Sequence, residues 1–368
     1  MRKSLLFFIF VVLTSVVGHG QTDWYIFRGD QELNAYVRGK IPSTLKIKAS
    51  YQTGDEIVAS PVVADNVIFV GSGDGFFYAV GMDGKLVWKY NTGNAIEAPA
   101  LLLNGKVVFG TLDGTLYCLD QKNGGVVWKY QTDNQIMGSP NYVTVGGKTI
   151  LAVGSYDYYL HGVDFADGLG LWKYESGNFI NGAPAKYKNS VIFGGCDGYL
   201  HMVDLTTGEA LKQLQLSTYM AASPAVVGKE AYIGDYEGSF FSIDLESGSE
   251  RWSYKNPESN LPFIASPAVS GNYVVLGNED RFLYCFNRSD GSLHWSVRLT
   301  NRIDASSIIV GDNVVTTTMD GRIFAHKLRT GEEVWRFELG SRMEGSPAYY
   351  DGKIVTGAGD GRIYILGE

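Results

Sequence analysis

The sequence predicts an all-β chain, an eight-bladed β-propeller of four-stranded antiparallel blades closed by an N-terminal strand that completes the last blade. Three observations lead there. A motif of Asp, Gly and Trp at fixed spacing returns about every 40 residues, Ser-Pro or Ala-Pro pairs return with the same period, and the two ends of the chain hold complementary fragments of one repeat.

The motif is plainest from Cys118 to Trp128, with Asp120 at its third place, Gly124 at its seventh and Trp128 at its eleventh. The same spacing gives Gly162, Asp164, Gly168 and Trp172; Ser242, Asp244, Gly248 and Trp252; Cys285, Asn287, Gly291 and Trp295; and Ala325, Lys327, Gly331 and Trp335. Two copies are imperfect: Ala79 to Trp88 is one residue short, and Met202 to Lys212 keeps Asp204 and Gly208 but ends on Lys. A Trp that recurs at this period reads as a repeated packing contact.

Taken in order, each repeat opens with a short apolar strand ending near its pair: Ser60-Pro61, Ala98-Pro99, Ser139-Pro140, Ala183-Pro184, Ser223-Pro224, Ser266-Pro267, Ser306-Ser307 and Ser346-Pro347. A second strand, such as Val67 to Gly71, runs to a turn. In most copies that turn holds Asp-Gly, as at Asp74-Gly75, Asp113-Gly114, Asp197-Gly198, Asp320-Gly321 and Asp360-Gly361, where a tight hairpin needs positive φ. A third strand such as Thr115 to Leu119 alternates apolar and polar, and a fourth carries the Trp. The eighth repeat stops near Leu366 without a Trp strand, whereas residues 45–53 look like that strand without its repeat. Pairing them closes the ring and hides two sheet edges.

Residues 1–20 read as a signal peptide. Arg2 and Lys3 precede an apolar run from Leu5 to Val17 that is short for a membrane span, and cleavage is expected near Gly20, with a retained anchor as the alternative. Residues 21–44 form a non-repeating extension and 45–368 the propeller. No Cys lies in or just after the apolar run to accept a lipid. Export places the chain in the periplasm or outside the cell, where a monomeric scaffold without a transmembrane segment after cleavage is expected. The formal charge of −8 becomes −10 on loss of Arg2 and Lys3, which argues against nucleic acid or an anionic membrane held by bulk charge. Cys118, Cys196 and Cys285 are expected as buried free thiols without a disulfide.

The repeat A/C/G-x-D-x-x-x-G-x-x-x-W, with its Ser-Pro and Asp-Gly turns, resembles the PQQ-type (quinoprotein-like) β-propeller repeat over residues 45–366. The resemblance implies a tryptophan docking role for Trp88, Trp128, Trp172, Trp252, Trp295 and Trp335, each held against the neighbouring blade, and a weaker contact at Lys212. WD-type propellers share the period, but their Gly-His opening is missing. Two classes within the resemblance remain open. One is the short, exported, protein-binding propeller of the BamB class, which works in cell-envelope assembly. The other is a small or degenerate PQQ-dependent dehydrogenase using the central funnel, and only that reading calls for PQQ and Ca²⁺ as cofactors. Length and lean blades favour the first, with a protein partner in the envelope, no nucleic acid and no catalytic residue.

Any ligand site belongs in the funnel. Counting back three from the second residue of each pair gives Val58, Ile96, Met137, Asn181, Ala221, Ile264, Asp304 and Glu344. Arg302 and Arg342 lie two residues before the acids, on the same side of an extended strand, as ordinary ion pairs require. Asn181, Asp304 and Glu344 could together hold a hard cation, though a solvated or mutually paired rim is the simpler reading. His161, His201, His294 and His326 are scattered over four blades and read as strand-surface residues. The chain has no Gly-x-Ser-x-Gly elbow and no phosphate loop. Tyr156, Tyr158 and Tyr159, and Tyr349-Tyr350, suit either a binding face or blade packing.

Overall fold

The computed structural model describes residues 23–216 and 218–368, so the expected signal peptide lies outside the described residues. The described residues form no helix, and hence none long and apolar enough to cross a membrane. They form eight four-stranded antiparallel blades in a ring, an eight-bladed propeller, and Tyr36–Val37 adds a parallel fifth strand to the innermost strand of blade 7, Ile308–Val310. Blade 1 runs outward from the axis as Val62–Ala64, Val67–Gly71, Phe76–Gly81 and Leu86–Asn91. Blade 8 contributes Ala348–Tyr350, Lys353–Gly357 and Arg362–Gly367, and its outermost strand is Lys46–Gln52, paired antiparallel with Tyr51 opposite Ile363 and Ala49 opposite Ile365. The split repeat is thus one blade made from both ends of the chain.

One sequence expectation is corrected. The Ser-Pro pair precedes the innermost strand instead of ending it: Val62–Ala64 starts after Pro61. Proline has no N–H for the ladder, so it sits ahead of the strand. The serine has a separate task. Ser60 Oγ accepts from Ser346 N at 2.9 Å, Ser346 Oγ from Ser306 N at 3.0 Å, Ser306 Oγ from Ser266 N at 2.8 Å and Ser266 Oγ from Ser223 N at 3.1 Å. These bonds run from blade to blade around the axis as a collar.

At the periphery the tryptophans join the blades. A β-bulge just before Trp128 turns the ring out of its own sheet toward blade 3. There Trp128 Nε1 donates to Phe165 O at 3.0 Å, and the ring lies on Gly168, where a Cβ would fall 2.7 Å from it. Gly168 has φ +77°, so the position suits glycine for both space and conformation. Asp164 holds the turn by accepting from Ala166 N at 2.9 Å. Trp88, Trp172, Trp252 and Trp295 donate likewise to Gln121, Leu205, Arg288 and Leu328 carbonyls at 2.9–3.1 Å. Trp335 donates to Pro42 O at 2.8 Å, so the N-terminal extension supplies the acceptor at blade 8.

Two joints are filled differently. Lys212, opposite Met202 where Trp172 stands opposite Gly162, reaches Glu246 O with its ammonium, and Lys212 and Leu214 cover Gly248. Ala49 takes the place in blade 8 and lies against Gly84 of blade 1. Because Gly248 keeps the φ of +73° that receives an indole elsewhere, Lys212→Trp is expected to stabilise the protein by about 1–2 kcal/mol through added apolar burial. Calorimetry of the variant checks this, and a lower melting temperature would show that the joint between blades 4 and 5 is already filled.

The extension is not a loose tail. Trp24 pairs with Val63 of blade 1, and carbonyls of Tyr25, Gln31, Glu32, Asn34, Ala35 and Val37 accept from Leu102, Lys186, Val226, Val269, Ile309 and Gly311 at 2.7–2.9 Å. Gln31 also accepts from Asn141 of blade 3, and Lys40 O accepts from the Tyr349 hydroxyl of blade 8. Residues 24–40 therefore touch the innermost strand of every blade. Those strands present unpaired backbone groups toward the axis, and the segment satisfies part of that inner edge.

Candidate functional site

The segments just before the Ser-Pro pairs converge above this plug. They line a central funnel of about 190 Å³ whose walls include Glu97, Asn181, Asp304 and Glu344 and which also reaches Phe27 of the extension. Its position follows from the repeat. In each blade a buried apolar residue anchors the segment, in seven of them against a glycine of the preceding blade: a Cβ on Gly110 would fall 2.1 Å from Ile136. The next residue then faces the axis.

That anchor corrects one expectation. Ile96 is fully buried, in the place of Ile57 and Ile136, and Glu97 faces the funnel instead. Blade 2 has one residue fewer between the anchor and its Pro, so counting back from the Pro slips by one. Aligning the buried Ile would have found Glu97. Val58, Met137, Asn181, Ala221, Ile264, Asp304 and Glu344 do line the cavity.

The structure brings Arg302 and Asp304 together at 3.1 Å and Arg342 and Glu344 at 3.3 Å, with Arg342 also on Glu56. Both arginines are half exposed at the rim, whereas Asp304 is largely buried at 13% side-chain exposure. Asn181 lies across the funnel and accepts from the Tyr156 hydroxyl at 2.7 Å. Burial raises the Asp304 carboxyl to about 6, Arg302 pulls it down, and Glu279 and Glu344 push it further up. Burial and the charge of Glu344 likewise raise Glu97. The funnel is thus a site of crowded negative charge.

Below it, Arg28 is buried, in the left-handed region at φ 66°, and donates to the carbonyls of Ser266 and Pro267 at 3.2 and 2.9 Å. Burial lowers its guanidinium to about 9 and raises neighbouring Asp30 to about 7 despite the hydrogen bond from Asn34 N. An acid whose pKa is raised on folding keeps a proton that the unfolded chain has lost. The folded state is therefore favoured at low pH, and stability falls as pH rises from about 4 to about 7. Asp304 acts in the same direction between about 4 and about 6. Asp30→Asn is expected to flatten the decline, with a higher melting temperature than wild type at pH 8 and little difference at pH 5. An equal difference at both values would overturn the assignment.

The histidines are also corrected. His161, His201 and His326 are buried, and of the four only His294 is a surface residue. In blades 1, 6 and 8 the Asp of the turn accepts from a tyrosine four residues on, as Asp74 does from Tyr78 at 2.6 Å. His161 and His201 stand at that place in blades 3 and 4, on Asp157 and Asp197 at 3.0 Å, with the Tyr130 and Tyr174 hydroxyls on their other nitrogens at 3.0 Å. Burial raises Asp157, but His161 and the Asp133 and Tyr159 amides outweigh it and bring the carboxyl to about 2. These are turn supports, not a catalytic pair. Tyr349 and Tyr350 are buried between blades, while Tyr158 is exposed on the funnel face. Cys118, Cys196 and Cys285 are free and buried.

PQQ is a polycarboxylate, and no Lys or Arg stands among the described residues that line the funnel, the nearby Arg302 and Arg342 being held by Asp304, Glu344 and Glu56. Among the described residues no His, Cys, Asp and Glu side chains group closely enough to share a metal ion.

Among solved structures, the chain resembles BamB from Moraxella catarrhalis, with a TM-score of 0.74 at 19% identity over 88% of this chain and 98% of that one. It resembles quinohemoprotein alcohol dehydrogenase from Comamonas testosteroni with a TM-score of 0.81 at 16% identity, over 94% and 81%. At these identities the likeness shows the fold alone. By sequence, the dehydrogenase subunit of a quinone alcohol dehydrogenase from Gluconacetobacter polyoxogenes is 34% identical over 109 residues, 26% of this chain and 15% of that protein. The match thus spans a small fraction of that relative. Residues 83–297 and 279–367 match the family model described as outer membrane protein assembly factor BamB. With most of its blades covered by that model, the chain belongs to the BamB family of PQQ-type propellers.

Proposed function

We propose that this protein is an exported, non-catalytic propeller that serves as a rigid scaffold for another protein in the cell envelope, in the periplasm or outside the cell, and acts as a monomer. The funnel carries this reading: it meets the N-terminal plug, and among the described residues no Lys or Arg lines it to take the carboxylates of the cofactor that catalysis in such a fold would need. The apolar run from Leu5 to Val17 supports export, and family membership supports a protein partner. The second reading, a degenerate PQQ-dependent dehydrogenase, is favoured by the quinone enzymes among the sequence relatives.

Thermal unfolding with PQQ and Ca²⁺, followed by dye reduction on ethanol, separates the two. The expected result is an unchanged transition and no reduction. A raised transition together with dye reduction would overturn the scaffold reading.

A further inference from the structure

The loops around the funnel mouth carry an aromatic arc that the blade architecture does not require. Tyr156 stacks on Phe179 at 4.6 Å between centroids, Tyr158 lies on the same ring at 5.2 Å, and Tyr219 meets Tyr236 edge-on at 5.4 Å. Tyr158, Tyr219, Tyr236 and nearby Leu261 are 38–46% exposed. Where Tyr156 and Tyr236 stand, one place before the third residue of the turn, blades 1 and 8 manage with Gly73 and Gly359. The fold therefore does not call for these rings. Through its hydroxyl on Asn181, Tyr156 ties the arc to the funnel wall, so aromatic surface forms one side of the mouth and the pairs of Arg302 and Arg342 the other.

Charge selects what can lie there. The same loops hold Glu97, Asp133, Glu237, Glu258 and Glu279 among their acids, but Arg281, Arg302 and Arg342 are their only cations, and the last two are paired with Asp304 and Glu344. Asp304 Oδ1 is buried without a hydrogen-bond partner, its Oδ2 being held by Arg302. A buried carboxylate oxygen in that state is costly, and a cationic donor is the group that relieves it most.

Building on the scaffold reading, we infer that this face docks an extended, basic segment of a partner protein. Its apolar or aromatic side chains lie on the arc of blades 3 to 5, and an Arg or Lys side chain enters the funnel toward Asp304, Glu344 and Glu97. The acidic face attracts such a segment at long range, and the arc supplies the desolvated contact that retains it.

Two labelled peptides test this by fluorescence anisotropy, one alternating Trp and Arg, the other Trp and Glu. The Arg peptide is expected to bind, with affinity falling about tenfold or more in high salt, in Asp304→Asn/Glu344→Gln, and in Tyr219→Ser/Tyr236→Ser. Circular dichroism confirms that the variants are folded. Failure of the Arg peptide to bind, equal binding of the Glu peptide, or undiminished binding by both variants would overturn the inference. A photo-cross-linker at Tyr236 and another at Val127, on the outer edge of blade 2, separate this inference from the scaffold reading in cells. An adduct from Tyr236 that the Arg peptide displaces supports the assigned face. An adduct from Val127 alone keeps the scaffold and rejects the face, and none from either position rejects both.

Discussion

Removal of residues 22–54 is expected to leave a chain that aggregates or lacks a cooperative unfolding transition. The deletion takes away two separate supports. Without Lys46–Gln52, the strand Arg362–Gly367 of blade 8 becomes an open edge bearing Ile363, Ile365 and Leu366, all buried in the intact protein. Such an edge templates pairing with other chains. Without residues 24–40, the inner strands of six blades lose carbonyl partners for backbone N–H groups, Asn141 of blade 3 and Tyr349 of blade 8 lose acceptors for their side chains, and Ile26, Leu33 and Ala35 leave a filled core. Each unsatisfied buried donor costs about 1–3 kcal/mol, so several together exceed a usual folding free energy of about 5–15 kcal/mol. Size-exclusion chromatography and thermal circular dichroism decide the matter. A soluble monomer with an unchanged melting temperature would mean that the ring closes without its N-terminal segment.

The periodic parts of this fold were legible because a propeller repeats its physics. Most of the docking Trp lie on a Gly of the next blade, most of the turns after the second strand hold Asp-Gly, and both leave residue types at fixed intervals. The missing Trp strand after Leu366 was legible for the same reason. What could not be read were features that do not repeat. Residues 24–40 have no periodicity, because they run across the strands and follow the ring instead of a sheet. His161 and His201 look polar in a strand pattern, and only the tyrosines at the same place in other blades show that a hydrogen bond to the turn Asp is their purpose. At the funnel, Asn181, Asp304 and Glu344 were within reach of counting, whereas Glu97 was hidden by a single missing residue. The aromatic arc was visible only in part: Tyr156 and Tyr158 stood out as a cluster, but Phe179, Tyr219 and Tyr236 come from separate loops that only the fold brings together.

Trp128→Ala should cost far more than truncation of the Lys212 side chain that fills the corresponding joint between blades 4 and 5. The ring is 7% exposed, packs on Gly168 and donates to Phe165 O, so its loss removes apolar burial, leaves a cavity and strips a hydrogen bond from the turn. Replacing a buried Trp by Ala costs about 3–5 kcal/mol. The same truncation at Lys212 removes a partly exposed alkyl chain and an ammonium on Glu246 O, and is expected to cost at most about 1 kcal/mol. Gly168→Ala attacks the joint from the other side, through a Cβ 2.7 Å from the indole and a φ of +77°. Because both changes act on one contact, the double variant should lose less than the two single losses combined. Once the indole is gone, its clash with the added Cβ is relieved, and the backbone strain remains. Urea unfolding of the four proteins measures this. Equal costs at Trp128 and Lys212 would mean that the peripheral ring does not hold the blades together, and full additivity with Gly168→Ala would mean that the indole and the glycine act on stability separately.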